Sequence, residues 1–430
     1  MIPFSLSYSG RMAIALLLML QATVTTASRN DGLAARMLES TIARGQGIYN
    51  TAAPTSLIEL GIFQQALLET IRDAANSTQR TEWEAYLVRS TTSAISPLSN
   101  ATADASLPLD RLSIGTALIH EYKSSQISDL IPAIHALTES VLLQQRNANG
   151  GLWYYANPTN ISYYHNLSYL DGMFSSAPFA VIAAATTNVT TLHDAVGDAN
   201  PFGRAAALEQ LQLLYGICKQ PSGLLVHGYD ASITHNWSDP ITGASPIVWG
   251  RSLAWYTLGV GNTLELLRSR RARLENTAGS DCSEARIGSI FTNITSAQIA
   301  VSEDGLQNTG QYGVWQVVDH PGESGNFIEA SASCMTVYSL LRAIRLHLIE
   351  DPAMRSRAKT AALGIYRTVL GTFVTEAING TLSLSGTSSV ASLAGESIDY
   401  DYYVSRPTAN DSLIGTSAFI LASLEVERLA

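Results

Sequence analysis

The chain has 430 residues, 46% of them hydrophobic and 14% charged, so it is long and apolar enough to bury a large core. Its formal net charge of −10 gives it no broad basic surface, which argues against binding to nucleic acid or to an anionic membrane. The three cysteines, Cys218, Cys282 and Cys334, allow at most one intramolecular disulfide. We therefore expect the fold to depend on packing rather than on disulfides.

The N-terminal segment has the pattern of an export signal. Arg11 precedes the apolar run of residues 13–20, and small residues follow up to a cleavage position near Ala27. A membrane anchor is the alternative, but the apolar run is far shorter than the roughly 20 residues that a spanning helix needs. We predict that residues 1–27 are a signal peptide, that residues 28–430 form one domain, and that the mature protein is secreted.

Nine Asn-x-Ser/Thr sequons agree with this prediction, because each can carry an N-glycan in a eukaryotic secretory pathway. Each motif is weak alone, but their number, together with the leader, favours a secreted glycoprotein. The asparagines are Asn76, Asn100, Asn160, Asn166, Asn188, Asn236, Asn293, Asn379 and Asn410.

Beyond the leader, apolar residues recur at three- and four-residue spacing, which is the period of a helix with one buried face. The pattern is cleanest in residues 127–141 and 337–348. Weaker versions occupy about 31–45, 55–75, 80–95, 108–122, 171–186, 203–219, 248–269, 284–302, 353–375 and 411–429. This count predicts an all-α domain of about six helical hairpins, arranged either as a closed toroid or as an open solenoid.

Four loops rich in Gly, Asn, Pro, Ser and aromatic residues separate these segments, at 146–169, 227–245, 319–326 and 385–410. They are long for simple connections. Long loops on a rigid helical scaffold are where binding residues usually lie, although flexible glycosylated surface loops are the alternative.

Two aspartates stand at predicted helix starts. Asp171 precedes Gly172 in LDGMFSSAPF, and Asp110 precedes Arg111 in SLPLDRLSIGTAL. Asp is a favoured helix N-cap, so capping is the plain structural explanation for both, and Arg111 could pair with Asp110. The functional alternative is a carboxyl pair in one cleft, in which partial burial and mutual repulsion raise a pKa enough for proton transfer near neutral pH.

A third cluster joins His227 to Trp249, Arg251 and Trp255. Arg251 and Trp255 share a helix face at four-residue spacing. An indole can stack on a sugar ring, and a guanidinium can hold a carboxylate with two parallel hydrogen bonds. A buried aromatic pair beside a structural arginine is the alternative.

A fourth cluster consists of residues 313–321, which contain Trp315, and residues 326–340, which contain Glu329. An acid in the first turn of a helix is favoured by the helix dipole, so we predict a structural role for Glu329. The sequence contains no GxGxxG or Walker motif, no HExxH pair, no CxxC and no G-x-S-x-G elbow. We therefore predict no metal and no other cofactor.

At these clusters the chain resembles the unsaturated rhamnogalacturonyl hydrolases of glycoside hydrolase family 105 and, more distantly, the unsaturated glucuronyl hydrolases of family 88. The motifs that carry the resemblance occur in the family's order over nearly the whole mature chain: LDGMFSSAPF, HGYD, ASPIVWGRSLAWY, GVWQVVDHP, NFIEASASCMTVYSLLRAIR and DYDYYVSRPTANDSLIGTSAFILASLE. The resemblance implies an (α/α)6 barrel, in which six hairpins form an inner and an outer ring of helices.

The resemblance also implies roles for single residues. Asp171 matches the catalytic aspartate and Asp110 the second active-site aspartate. The residues that match substrate contacts are His227, Trp249, Arg251 and Trp255, and Tyr154 and Trp315 are assigned to substrate binding with them. Three positions depart from the family pattern: Ile58, Tyr154 and Ser175 stand where a Tyr, a His and a Met are usual.

The implied reaction is hydration of the C4=C5 double bond in a terminal unsaturated uronic acid, which a polysaccharide lyase leaves on rhamnogalacturonan or another pectin-type fragment. The expected partner is thus an oligosaccharide that contains this sugar, and the expected state is a monomer. Two alternatives stay open: a glycosidase that cleaves saturated chains with two carboxylates, and a non-catalytic carbohydrate-binding relative. An arginine suits a carboxylated sugar better than a neutral one.

Overall fold

The computed structural model describes residues 32–50, 55–155, 164–184, 201–271 and 280–429. Within these ranges the chain forms twelve long helices: α1 Leu33–Ala43, α2 Ser56–Asp73, α3 Ser77–Ser93, α4 Gly115–Ser125, α5 Leu130–Leu142, α6 Gly172–Ala183, α7 Gly203–Cys218, α8 Gly250–Arg271, α9 Ser280–Thr309, α10 Ala330–Arg345, α11 Pro352–Thr372 and α12 Leu413–Glu427. Each corresponds to one segment predicted from periodicity. The predicted leader and the sequons at Asn160 and Asn188 lie outside the described residues.

The helices are arranged as two concentric rings. The even-numbered helices form the inner ring: each packs on the next, and α12 returns to pack on α2. The short helix Leu109–Ile114, directly before α4, supplies most of the contact between α2 and α6. The odd-numbered helices lie outside and pack against the inner ring. This closed arrangement confirms the (α/α)6 barrel and excludes the open solenoid.

Sequence composition separates the two rings. The inner helices α6 and α12 are apolar or small on every side and are buried almost throughout, as expected for helices enclosed by other helices. Outer helices such as α3 keep one exposed polar face. Helix α10 has an amphipathic sequence but lies in the inner ring, because its polar face turns toward the barrel axis instead of solvent.

Polar side chains fill the barrel axis below the middle of the inner helices. Gln65 of α2 donates from Nε2 to Oδ1 of Asn262 on the opposite helix α8, at 3.2 Å, and to the hydroxyl of Tyr338 on α10, at 3.1 Å. Below them, Tyr338 donates to Glu69, and Arg342 pairs with Glu265. We call these six residues, with Arg428, the axial plug.

Charge within the axial plug is well compensated. Burial by itself would raise the pKa of Glu69, but Arg342, the Tyr338 hydroxyl and Arg428 together hold that pKa below its usual value. Arg428 Nη1 lies 3.1 Å from Glu69 Oε2. The plug is thus an ionic network of paired opposite charges, in which removal of one partner would leave a buried charge.

Three two-stranded antiparallel sheets join the long loops. Strand β1, Leu167–Tyr169, pairs with β2, Gly228–Asp230; β3, Val374–Glu376, pairs with β4, Leu382–Leu384; and β5, Thr387–Ser388, pairs with β6, Thr408–Ala409. The first sheet places Ser168 opposite Tyr229 and so brings the loop before α6 beside the loop that contains His227.

All three cysteines are free thiols, with Cys218 and Cys334 buried and Cys282 exposed. This agrees with a fold that depends on packing. Among the helices of the described ranges, none combines the length and apolar character needed to cross a bilayer.

Candidate active site

A cavity of about 310 Å³ opens at the N-terminal ends of the inner helices. This volume is within the range of about 300–1,000 Å³ that is typical of small-molecule sites. Six of the residues predicted from sequence line it: Asp110, Tyr154, Asp171, Trp249, Arg251 and Trp255. A groove of about 660 Å³ lies on the outer surface near α9 and α11, but no aromatic residue lines it.

The barrel determines where these side chains converge. Asp171 comes directly before α6, Arg251 and Trp255 lie in the first two turns of α8, and Ile58 and Ile414 lie in the first turns of α2 and α12. The inner helices therefore direct their N-terminal ends, which carry unpaired backbone N–H groups and partial positive charge, toward one cavity. Such a position favours anionic groups.

Asp171 occupies the N-cap position of α6, but its side chain makes no capping hydrogen bond. Instead, Oδ2 accepts a hydrogen bond of 2.5 Å from the Ser252 hydroxyl, and it lies 3.3 Å from Nε2 of His227. Only 7% of Asp171 is exposed. The capping interpretation is therefore wrong for this residue, whose carboxylate is held at the cavity wall by α8 and the loop after α7.

Asp110 is also buried, with 4% of its surface exposed, and it accepts a hydrogen bond of 2.7 Å from the Tyr154 hydroxyl. Burial raises the pKa of Asp110 to about 7; the bond from Tyr154 lowers that pKa, the nearby charge of Asp171 raises it, and Arg111 lowers it. The structure therefore supports a raised pKa at Asp110, the more deeply buried of the two carboxyl groups.

The expected pair between Asp110 and Arg111 does not form. Arg111 is fully buried and points away from the cavity. Its guanidinium donates to Gln144 Oε1 at 2.7 Å and to the hydroxyl and carbonyl of Ser140 at 3.0 and 3.2 Å. Its guanidinium thus ties the segment before α4 to α5. Asp110 keeps Tyr154 as its polar partner.

His227 does not line the cavity, contrary to its expected role as a substrate contact. It is fully buried behind Asp171, with its ring 4.8 Å from that of Trp249 and 5.2 Å from that of Tyr169. Nδ1 lies 2.8 Å from the hydroxyl of Tyr403. His227 therefore acts on the cavity through Asp171.

Arg251 lines the cavity, but most of its hydrogen bonds are internal. Nη1 donates to the carbonyl of Ser388 at 2.6 Å and lies 3.4 Å from Oε1 of Glu329, while Nη2 donates to the carbonyl of Ser389 at 2.8 Å. The guanidinium also lies over Trp249, 4.7 Å from the ring centroid. The guanidinium, which was expected to bind a substrate carboxylate with two hydrogen bonds, thus uses part of its donors to hold the loop that follows β5.

Glu329 has the structural role that the sequence predicted. Its side chain caps α10 by accepting from the backbone N–H of Ala332 at 2.6 Å. It also accepts from the N–H of Ser388 at 2.9 Å. Glu329 therefore fixes the same loop that Arg251 holds.

Tyrosines form a wall of which sequence reasoning singled out only Tyr154. Tyr154 stacks on Tyr169 with ring centroids 4.5 Å apart, and Tyr155 lies 4.4 Å from Tyr164. The Ser392 hydroxyl lies 3.1 Å from that of Tyr164 and 3.3 Å from that of Tyr169. These residues lie in two of the four long loops. The length and tyrosine content of those loops were the features of the sequence that could have predicted this wall.

Trp315 lies outside the cavity, so its assignment to substrate binding is not supported. Its indole nitrogen faces α9, where a Cβ added at Gly305 would lie 3.3 Å away. The next residue, Gln316, points the other way and accepts from Nε1 of Trp249 at 3.1 Å. Side chains alternate along an extended segment, and residue 315 is on its outer side.

A closed ring of helical hairpins, with two buried carboxylates and aromatic walls at one end, has the architecture of a carbohydrate-active hydrolase. Residues 58–430 match the family model described as Glycosyl Hydrolase Family 88, and the chain belongs to this family. It is therefore a glycoside hydrolase, which removes the alternative of a non-catalytic relative.

The chain is also similar to individual proteins in sequence or in fold. Protein Atu3128 of Agrobacterium fabrum is 31% identical over 234 residues, which are 52% of this chain and 91% of that protein. A glycoside hydrolase from family 105 of C. acetobutylicum has a similar structure, with 24% identity, a TM-score of 0.71, and coverage of 93% of this chain and 100% of that one. The unsaturated glucuronyl hydrolase of Bacillus sp. GL1 gives 16% identity, a TM-score of 0.58, and coverage of 92% and 95%.

Among the residues whose placement the structure describes, no three His, Cys, Asp or Glu side chains are grouped so that they could hold a metal ion. The polar groups of the cavity are instead arranged to bond one another and a polar organic ligand.

Proposed function

We propose that this glycoside hydrolase removes a terminal 4,5-unsaturated uronic acid from oligosaccharides of the rhamnogalacturonan or pectin type. The observation that carries the proposal is the pair of buried carboxyl groups, Asp110 and Asp171, in one cavity walled by tyrosine and tryptophan. Aromatic faces suit sugar rings, and two carboxyl groups in one cavity suit proton transfer to and from a bound sugar. The choice of uronate and of neighbouring sugar rests on the motif resemblance.

The proposed reaction is hydration of an enol ether. A proton from the Asp171 carboxyl adds to C4, positive charge develops at C5, and the same carboxylate removes a proton from the water that attacks C5. The resulting hemiketal opens and releases the neighbouring sugar. The carboxylate spacing that distinguishes retaining from inverting glycosidases does not govern this chemistry.

Asp110 lines the same cavity and supports this reaction. Because its pKa is about 7, it carries a proton below neutrality and can donate a hydrogen bond to a sugar hydroxyl, while Tyr154 occupies Oδ1. A neutral Asp110 also adds no second negative charge beside the uronate. The inner helix N-termini, together with the remaining hydrogen-bonding capacity of Arg251, favour the anionic end of the substrate.

The test is a panel of lyase-generated oligosaccharides from rhamnogalacturonan, ulvan and glycosaminoglycans. We expect the wild-type protein to abolish the ultraviolet band of the unsaturated uronate in rhamnogalacturonan fragments, and Asp171→Asn to leave it intact. Asp239→Asn is the matched control. Asp239 is exposed and does not line the cavity, so this variant should keep full activity. Loss of the band with none of the substrates would overturn the proposal, and loss only with glycosaminoglycan fragments would overturn its pectin part.

The proposal includes export and N-glycosylation. Asparagine side chains are exposed at six of the described sequons, namely Asn76, Asn100, Asn236, Asn293, Asn379 and Asn410, whereas Asn166 is half-buried. Expression of the full chain in a eukaryotic host should give medium-borne protein that begins near residue 28 and gains electrophoretic mobility after endoglycosidase treatment. Protein retained in cells with an intact N-terminus would contradict the prediction.

A further inference from the structure

The hydroxyl of Tyr403 is aimed at the residue behind the catalytic carboxylate. Tyr403 is fully buried in the short helix Tyr400–Val404, and its hydroxyl lies 2.8 Å from Nδ1 of His227. Among the described residues, the structure gives this hydroxyl no other hydrogen-bond acceptor. A buried hydroxyl that makes no bond is costly, so the O–H is expected to donate to Nδ1.

This direction of donation determines the proton on the other ring nitrogen. If Nδ1 accepts, a neutral imidazole carries its proton on Nε2. Nε2 lies 3.3 Å from Oδ2 of Asp171, and it has no other polar partner in the described part of the chain. The contact is longer and less aligned than an ideal hydrogen bond, as is common for catalytic groups before substrate binds.

We infer that Tyr403 is a positioning residue, which holds His227 in the tautomer that presents Nε2–H to Asp171. The Ser252 hydroxyl donates to Oδ2, and Nε2–H of His227 then lies 3.3 Å from the same oxygen. Oδ1 has no hydrogen-bond partner among the described residues. The arrangement thus reserves one oxygen of Asp171 for proton exchange at the cavity, and this consequence for catalysis rests on the proposed function.

A chain of hydrogen bonds keeps Tyr403 in place. Its backbone carbonyl accepts from Nε2 of Gln316 at 3.0 Å, and Gln316 in turn binds the indole nitrogen of Trp249 at 3.1 Å. Asp399 caps the short helix through the N–H of Tyr402 at 3.0 Å. The loop 385–410 therefore delivers the Tyr403 hydroxyl to His227 from the far side of the cavity wall.

The tautomer can be measured without any substrate. In protein labelled with ¹⁵N at histidine, we expect the signal of His227, identified by its loss in His227→Gln, to show a non-protonated Nδ1 and a protonated Nε2. A protonated Nδ1 in the wild-type protein would overturn the inference. This measurement remains decisive even if no unsaturated uronate is turned over, which separates its failure from failure of the proposed function.

A double-mutant cycle tests whether Tyr403 acts through His227. Tyr403→Phe should lower kcat/KM by about three- to tenfold, the equivalent of one hydrogen bond, and it should also lower the melting temperature slightly because Nδ1 of His227 loses its buried donor. Glutamine at position 227 offers an amide N–H near the position of Nε2 and no counterpart of Nδ1. In His227→Gln, the added Tyr403→Phe change should therefore have no further effect.

The control for loss of a buried phenol is Tyr256→Phe, since Tyr256 is fully buried and donates to the carbonyl of Leu211 at the outer side of α8. It should leave kcat/KM unchanged. An equal loss from Tyr403→Phe in the wild-type and His227→Gln backgrounds would show a general packing effect and would refute the positioning role.

Discussion

The buried carboxyl group of Asp110 should make folding stability depend on pH in a way that one substitution removes. The pKa of this group is about 7 in the folded chain, against an ordinary value of 3.8. Between these values the folded chain keeps a proton that the unfolded chain releases. The free energy of unfolding therefore decreases as pH rises from about 4 to 7, because the folded state must ionise a buried group.

The magnitude follows from the size of the shift. About three pKa units at 1.36 kcal/mol each correspond to about 4 kcal/mol of stability that is present near pH 4 and lost by pH 8. In Asp110→Asn the amide oxygen can still accept from Tyr154, but no charge can form. The variant should resemble the wild-type protein at pH 4 and become more stable than it by up to about 4 kcal/mol at pH 8.

Urea unfolding at pH 4, 5, 6, 7 and 8, followed by circular dichroism, would measure this difference. Asp239→Asn is the control: Asp239 is exposed, and hydrogen bonds from the backbone of Thr242 and Ile241 lower its pKa, so its protonation lies below this pH range. Its effect should be constant across the series. A constant difference for Asp110→Asn as well would refute the assignment of the raised pKa to this residue.

Two further predictions concern the packing that holds the site. Gly259→Ala should destabilise the fold and lower activity, because an added Cβ would lie 2.2 Å from the carbonyl oxygen of Met173, two residues after Asp171. Gly288→Ala in α9 is the control, since its added Cβ meets nothing within 4 Å. This control should stabilise the protein by about 1 kcal/mol through helix propensity. Thermal melting and kcat/KM of both variants would check this, and equal effects would contradict it. Arg342→Met should cost about 3–5 kcal/mol in urea unfolding at pH 7, since it removes a main partner of the buried Glu69. Because Arg342 lowers the folded pKa of Glu69, that loss should shrink as falling pH protonates Glu69, and a loss independent of pH would argue against this cause.

Helix positions were predictable because burial on one face leaves a periodic trace in the sequence. Periodicity alone did not predict closure of the ring, since a toroid and a solenoid use the same hairpins. The family resemblance implied closure, which in the structure depends on the contact between α12 and α2. Periodicity predicted the helix α10 correctly but implied that its polar face meets water. In the structure Tyr338 and Arg342 on that face point toward the polar axis of the barrel.

Site residues on helix starts were predicted better than residues on loops. Trp255 reaches the cavity because its helix face is fixed by the backbone, whereas the direction of Trp315 depends on the register of an extended segment. Burial of His227 and the bonds that engage Arg251 arise from contacts more than 130 residues away in sequence, with Tyr403 and Ser388. No local pattern encodes such contacts.

The axial plug also affects the path by which substrate can enter and product can leave. Gln65 and Asn262 meet across the barrel from opposite inner helices, so that, within the described part of the chain, side chains close the barrel axis. Under the proposed function, a polysaccharide would therefore not pass along the axis. Each turnover would admit one chain end, and the freed sugar would leave through the entrance before the next end arrives, so released uronate should compete directly with incoming substrate.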